Sequence, residues 1–63
     1  MDKSTAIEAM KKGFKVKHRY FSDDEWMKIE HNHYVFEDGV ICSFDEFWRF
    51  RTEDYWETDW KIL

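Results

Sequence analysis

The sequence has no proline, two glycines, one cysteine and no long apolar run, and each shortage removes a class of explanation. Without proline there is no proline-rich linker. No repeat or low-complexity stretch divides the 63 residues either, and they read as a single domain. Two isolated glycines do not make a glycine-rich phosphate loop. A lone Cys42 forms no internal disulfide, a pattern that fits a reducing compartment. No segment approaches the roughly 18 apolar residues of a membrane span, and no basic-then-apolar signal segment opens the chain. A soluble, cytoplasmic protein with no membrane partner is therefore expected. His18, His31, His33 and Cys42 lack finger or knuckle spacing, so neither a metal nor a cofactor is expected.

What the chain does have is aromatic and acidic residues. Seven rings and six acids fall within Ser43–Leu63. Aromatic side chains bury more area than any others, and a chain of this length buries only about 60% of its unfolded surface. Domains this small take a disulfide, a metal or an oligomer interface as a staple. With the first two unprovided for, a homo-oligomer is expected. The net charge of −4 conceals an asymmetry: residues 1–21 carry six Lys/Arg against two acids, and residues 22–63 carry four against twelve. Such a basic N-terminal third attracts an anion, or the acidic part of a second copy.

Periodicity gives the elements. Thr5 and Glu8 have capping-box spacing, with Ser4 as an alternative cap, and Gly13 stands where a helix ends, so a helix is expected over 5–12. From Phe14 the period becomes two, with Phe14, Val16, His18 and Tyr20 on one side and Lys15, Lys17 and Arg19 on the other. Ser22–Glu25 is a polar turn. Met27 and Ile29 oppose Trp26 and Lys28 on a second strand. His31-Asn32-His33 reads as a polar hairpin loop, Tyr34–Glu37 as a third strand, Asp38-Gly39 as a hairpin turn and Val40–Cys42 as a fourth strand. Ser43 and Glu46 form a capping box for a second helix with Phe44, Phe47 and Trp48 on one face and Arg51 at its edge. Trp56, Thr58, Trp60 and Ile62 alternate with charged residues as a last strand. The order α-β-β-β-β-α-β predicts a small α+β domain with a mainly antiparallel sheet and two short helices.

No nucleophile–base order or metal-ligand pattern is present, and so small a chain poorly encloses a water-excluding site; no enzymatic activity is expected. The outward side of the first two strands, with Lys15, Lys17, Arg19, Phe21, Trp26 and Lys28, instead sets cations beside rings. That combination suits a nucleotide, phosphate meeting Lys/Arg and base meeting a π face. The plain alternative is a charged strand face with one exposed indole. His18 falls on the inward side, where a satisfied core histidine competes with a ligand role. Twelve downstream acids disfavour a long nucleic acid. The acids themselves could mimic nucleic acid toward a protein.

At its two ends the chain resembles the second Thoeris anti-defence family of phage proteins. Members open with a helix of the form ALEALKEGKKV, and Ala6-Ile7-Glu8-Ala9-Met10-Lys11-Lys12-Gly13-Phe14-Lys15-Val16 is similar. His18-Arg19-Tyr20-Phe21 is similar to the family's strand end, with Phe21 where Trp is usual. Thr58-Asp59-Trp60-Lys61-Ile62 is similar to its acid-Trp-acid-aliphatic tail. The likeness covers about 25 residues, and the middle of this chain is shorter and bears a helix. It implies an oligomeric, non-enzymatic sponge that sequesters a cyclic ADP-ribose-type immune messenger in the infected bacterial host. On that expectation Lys17, Arg19 and Lys28 contact phosphate, Phe21 and Trp26 stack, Asp59 accepts from a ribose hydroxyl, and His18 joins the site. The other expectations are an acidic inhibitor that binds a host defence protein, and a structural self-associating domain.

Overall fold

Alternating burial builds a five-stranded antiparallel sheet in the order β4-β3-β2-β1-β5, from β1 (Val16–His18), β2 (Met27–Glu30), β3 (His33–Phe36), β4 (Ile41–Cys42) and β5 (Trp60–Ile62). The computed structural model describes residues 1–63. Helices α1 (Lys3–Lys11) and α2 (Phe44–Arg49) complete the expected α-β-β-β-β-α-β order, with a 3-10 turn, Asp54–Glu57, added before β5. The protein is a small α+β fold.

α1 begins earlier than the capping-box spacing suggests. Asp2 is the N-cap, and its Oδ1 accepts from the Thr5 N–H at 2.8 Å; neither Thr5 nor Ser4 caps. A carboxylate both accepts the orphan N–H and meets the positive end of the helix dipole. Ala6, Ala9 and Met10 form the buried stripe. The helix ends in a Schellman motif: the Phe14 N–H bonds Ala9 O and the Gly13 N–H bonds Met10 O, with Gly13 at φ 96°. Phe14 thus belongs to the helix cap and is 49% exposed, not inward beside Val16. The first strand is correspondingly short. Tyr20, also expected inward, lies in the turn beyond it and is 57% exposed.

The hairpins follow turn chemistry. His31 and Asn32 both have positive φ, 53° and 63°, as a two-residue type I′ loop requires, and this pairs Glu30 with His33. At the next hairpin Gly39 has φ 85° and its N–H bonds Phe36 O, while the Phe36 N–H bonds Val40 O. Ser43 caps α2, its Oγ accepting from the Glu46 N–H at 3.2 Å and donating to Glu46 Oε1 at 3.0 Å.

Both helices cover one face of the sheet. Met27, Tyr34, Val16 and Trp60 meet Ala6, Met10 and Phe47 in a single core of nine residues that also holds Ala9 and Phe21. Phe47 packs edge-on against Tyr34 at 5.1 Å, and the Arg51 guanidinium lies 4.0 Å over the Phe47 ring. Burying a ring of that size contributes about 2–3 kcal/mol, a sizeable share of the ~5–15 kcal/mol that holds a domain folded. The opposite face has no covering layer and presents Lys17, Lys28, Val35, Ile41 and Lys61.

The last element differs most from expectation. A continuous strand would hold Trp56 and Trp60 about 13 Å apart. The 3-10 turn and Asp59, at φ 67°, bring their rings to 6.3 Å, and the Trp60 indole N–H donates to Trp56 O at 2.8 Å. Folding back lets Trp56 lie 4.3 Å from the His18 ring, which a straight strand does not reach.

Candidate functional site

An open pocket of about 510 Å³ lies where β1 and β5 run out into their turns. Its walls carry three cations, Lys17, Arg19 and Lys61, and two acids, Asp23 and Asp59. Its floor is His18, Phe21 and Trp60, and Met1 closes one side. The size is in the usual range for small-molecule sites. In a chain with net charge −4, this pocket has an excess of positive charge.

Strand register creates the cation cluster. β1 and β5 pair Val16 with Ile62, Lys17 with Lys61 and His18 with Trp60. Because side chains alternate, His18 and Trp60 go into the core while Lys17 and Lys61 come out side by side. The Lys17 ammonium donates to Asp23 O at 2.9 Å. Arg19 begins the turn that follows; its N–H bonds Asp59 O at 3.0 Å, and its guanidinium Nη1 is 3.8 Å from Asp59 Oδ2. That ion pair is loose and exposed, so little energy resists its rearrangement.

His18 is fully buried, with Nε2 2.7 Å from Tyr55 O and Nδ1 accepting from the Tyr20 N–H at 3.1 Å. Both ring nitrogens are engaged by backbone, so the expected ligand contact gives way to a structural role in the pocket floor. Phe21 is 9% exposed and meets Trp60 edge-on at 5.7 Å. So little of the ring is accessible that a base has no free face to stack on.

Five of the seven residues singled out from sequence line this pocket: Lys17, His18, Arg19, Phe21 and Asp59. Trp26 and Lys28 do not. They belong to β2 and its approach, on the far side of β1 from β5. Lys28 pairs with Glu30 at 3.0 Å, and that contact holds the Glu30 carboxyl below its usual range. The Lys15 ammonium lies 4.4 Å over the Trp26 ring and occupies one of its faces.

Sequence reasoning missed Lys61, Asp23 and an exposed ring pair. Tyr20 and Tyr55 meet edge-on at 4.9 Å, and the Arg19 guanidinium lies 5.7 Å from the Tyr20 ring. Tyr20 is 57% exposed and adjoins Arg19, but it is not among the residues lining the pocket. The alternation through Trp60 already set Lys61 apart from the indoles, but only the β1–β5 pairing brings it to Lys17. No three His, Cys, Asp or Glu side chains gather as a metal-ligand set. Comparison with family models, with curated proteins and with solved structures gives no match to this chain.

Proposed function

We propose that this chain is a phage-type anti-defence protein that binds a nucleotide-derived immune messenger of the cyclic ADP-ribose type and withholds it without turning it over. The observation that carries the reading is the Lys17–Lys61 register pair beside Arg19 in one pocket. Three cations around a concave site suit a diphosphate, and their mutual repulsion is relieved when an anion arrives. Asp59, already 3.8 Å from Arg19, is positioned to accept from a sugar hydroxyl once phosphate takes its place on the guanidinium. Tyr20, exposed next to Arg19 at the pocket's margin, is the ring available to a base. The likeness at the chain ends to the second Thoeris anti-defence family supports the same reading, as does a core of only nine residues, which favours a homo-oligomer.

Incubating the protein with ADP-ribose-derived messengers, removing free ligand and heating the complex tests the proposal. Release of the messenger chemically intact is expected. Release of a hydrolysed product, or of nothing across the messenger panel at micromolar protein, contradicts it. Phe50, 76% exposed beside the acids of α2 and the following turn, favours the second reading of a protein-binding inhibitor. That reading requires a stable, salt-sensitive complex in a host-lysate pull-down.

A further inference from the structure

The imidazole of His18 joins the backbone of the turn after β1, at Tyr20, to that of the 3-10 turn, at Tyr55, and we infer that it is a proton-operated latch: protonation at Nδ1 releases the Arg19–Phe21 turn, two of whose residues line the pocket, and weakens the pocket's hold on its ligand. The ligand half of this inference rests on the nucleotide reading above; the release of the turn does not.

The bonding leaves one arrangement of protons. Tyr55 O only accepts, so Nε2, 2.7 Å away, carries the hydrogen. The Tyr20 N–H only donates, so Nδ1, 3.1 Å away, is bare. Two backbone groups therefore fix a neutral ring in a single tautomer. An imidazolium donates from both nitrogens, and its new N–H would face the Tyr20 N–H, donor against donor. That N–H has no other acceptor within the protein.

The consequence is local to the pocket. His18 to Phe21 form a four-residue turn closed by the Phe21 N–H on His18 O at 3.0 Å, and the His18 side chain braces it as an Asx side chain braces its own turn. Arg19 and Phe21, on either side of Tyr20, both line the pocket. Loss of the brace displaces Arg19 and part of the floor together, and this displacement outweighs the attraction the added charge itself exerts on an anion.

No side chain offers the imidazole a hydrogen-bond partner. The charged groups around the pocket are Lys17 and Lys61 on the opposite side of the sheet from the ring, Arg19 paired with Asp59 just before β5, and the N-terminal ammonium, which donates to Trp60 O at 2.8 Å; the Tyr20 phenol belongs to the ring's own turn. Asp23 lines the same pocket. Where α1 meets the 3-10 turn, Lys3 and Glu57 pair at 3.9 Å, and the Tyr55 phenol belongs to that turn. None of these side chains hydrogen-bonds the imidazole, whose two partners are both backbone. Trp56 at 4.3 Å and Trp60 at 4.9 Å attract a cation, but they do not restore an acceptor for Tyr20.

Nuclear magnetic resonance of the whole chain, following the His18 ring nitrogens and the Tyr20 amide from about pH 8 to about pH 5, tests the latch across the range where histidines change charge. ADP-ribose is the binding probe, because its diphosphate is a diester and keeps its charge over that range. The Tyr20 amide is expected to move with the ring, and ADP-ribose affinity to fall about tenfold, the worth of one strong hydrogen bond. His18→Asn, which keeps an acceptor near Nδ1 but does not titrate, is expected to flatten the profile. A Tyr20 amide that stays put while the ring protonates overturns the latch, as does the same binding profile in wild type and His18→Asn. If His18→Asn does not fold, the wild-type Tyr20 titration decides alone. Failure of ADP-ribose to bind at any pH, with Tyr20 still following the ring, upholds the latch and removes the nucleotide reading.

Discussion

Lys17 on β1 stands directly across from Lys61 on β5, two like charges in cross-strand register on the uncovered face of the sheet. Opposed like charges destabilise a sheet, so the arrangement works against the free protein and in favour of an anionic complex.

Lys61→Glu is expected to produce two effects of opposite sign. It replaces repulsion by attraction to Lys17 and raises the stability of the free chain by roughly 0.2–1 kcal/mol. It also removes a cation from the pocket and weakens nucleotide binding. Denaturant unfolding and a binding titration on the same variant check this. A variant less stable than wild type means that the lysine pair is not repulsive in the folded protein.

Asp59 combines the carboxylate proposed to meet a sugar hydroxyl with a left-handed backbone. At φ 67° it occupies the left-handed region, which Asn and Gly tolerate and β-branched residues do not. Asp59→Asn is expected to fold with stability within about 0.5 kcal/mol of wild type while changing ligand preference. Asp59→Val is expected to cost about 1–2 kcal/mol through the backbone alone. Equal stability of the two variants, read from thermal unfolding, excludes strain at this position.

Alkaline stability is tied to Tyr34. Burial pushes its phenol above the ordinary 10.0, against the smaller opposing effect of the hydrogen bond from the Trp48 indole N–H at 2.7 Å. The folded state thus favours the neutral ring. The stabilisation is full below pH 10.0 and is lost as pH rises through the folded value. Tyr34→Phe is expected to abolish this alkaline limb and, by leaving the Trp48 N–H without its partner, to cost about 1 kcal/mol at neutral pH. Unfolding midpoints measured on either side of pH 10 decide the matter.

Acid stability has the opposite sign at Asp2. The Thr5 N–H holds its carboxyl below the ordinary 3.8, so the cap stabilises α1 above that value and is lost as pH falls through the folded one. Asp2→Ala is expected to lower the melting temperature at pH 7 and to shrink the difference from wild type in strong acid. A difference that does not change with pH indicates that the carboxylate's charge plays no part in the cap.

Much of this fold could be read from local chemistry. Ser43 and Glu46 announced α2, Gly13 the end of α1, and Asp38-Gly39 a hairpin, because caps and turns are written in adjacent residues. Periodicity failed where long-range packing overrode it. Trp56 and Trp60 alternate as a strand should, yet His18 draws Trp56 into a 3-10 turn, a contact between residues 38 apart in sequence. The candidate site divides in the same way. Lys17, Arg19 and Phe21 share one strand end, so their nearness is written in adjacent sequence. Lys61 needs the β1–β5 register, and alternation, which puts Trp26 and Lys28 on the outward side of β2, does not say that β2 and β5 lie on opposite sides of β1. The dense aromatic tail gives Phe47 and Trp60 wholly to the core and half-buries Trp48 and Trp56. Its contributions to the pocket are Asp59, Trp60 and Lys61.

The central claim, that the Lys17–Arg19–Lys61 pocket binds a nucleotide messenger, is tested most directly by a thermal-shift panel of ADP-ribose-derived and other nucleotides on wild type and Arg19→Ala. Ligand binding to the native state alone raises its stability by about 2.7 kcal/mol at a hundredfold excess over Kd. The account predicts a clear rise in Tm with an ADP-ribose-type ligand that is lost in Arg19→Ala. No rise with any nucleotide, or a rise that Arg19→Ala leaves intact, contradicts it.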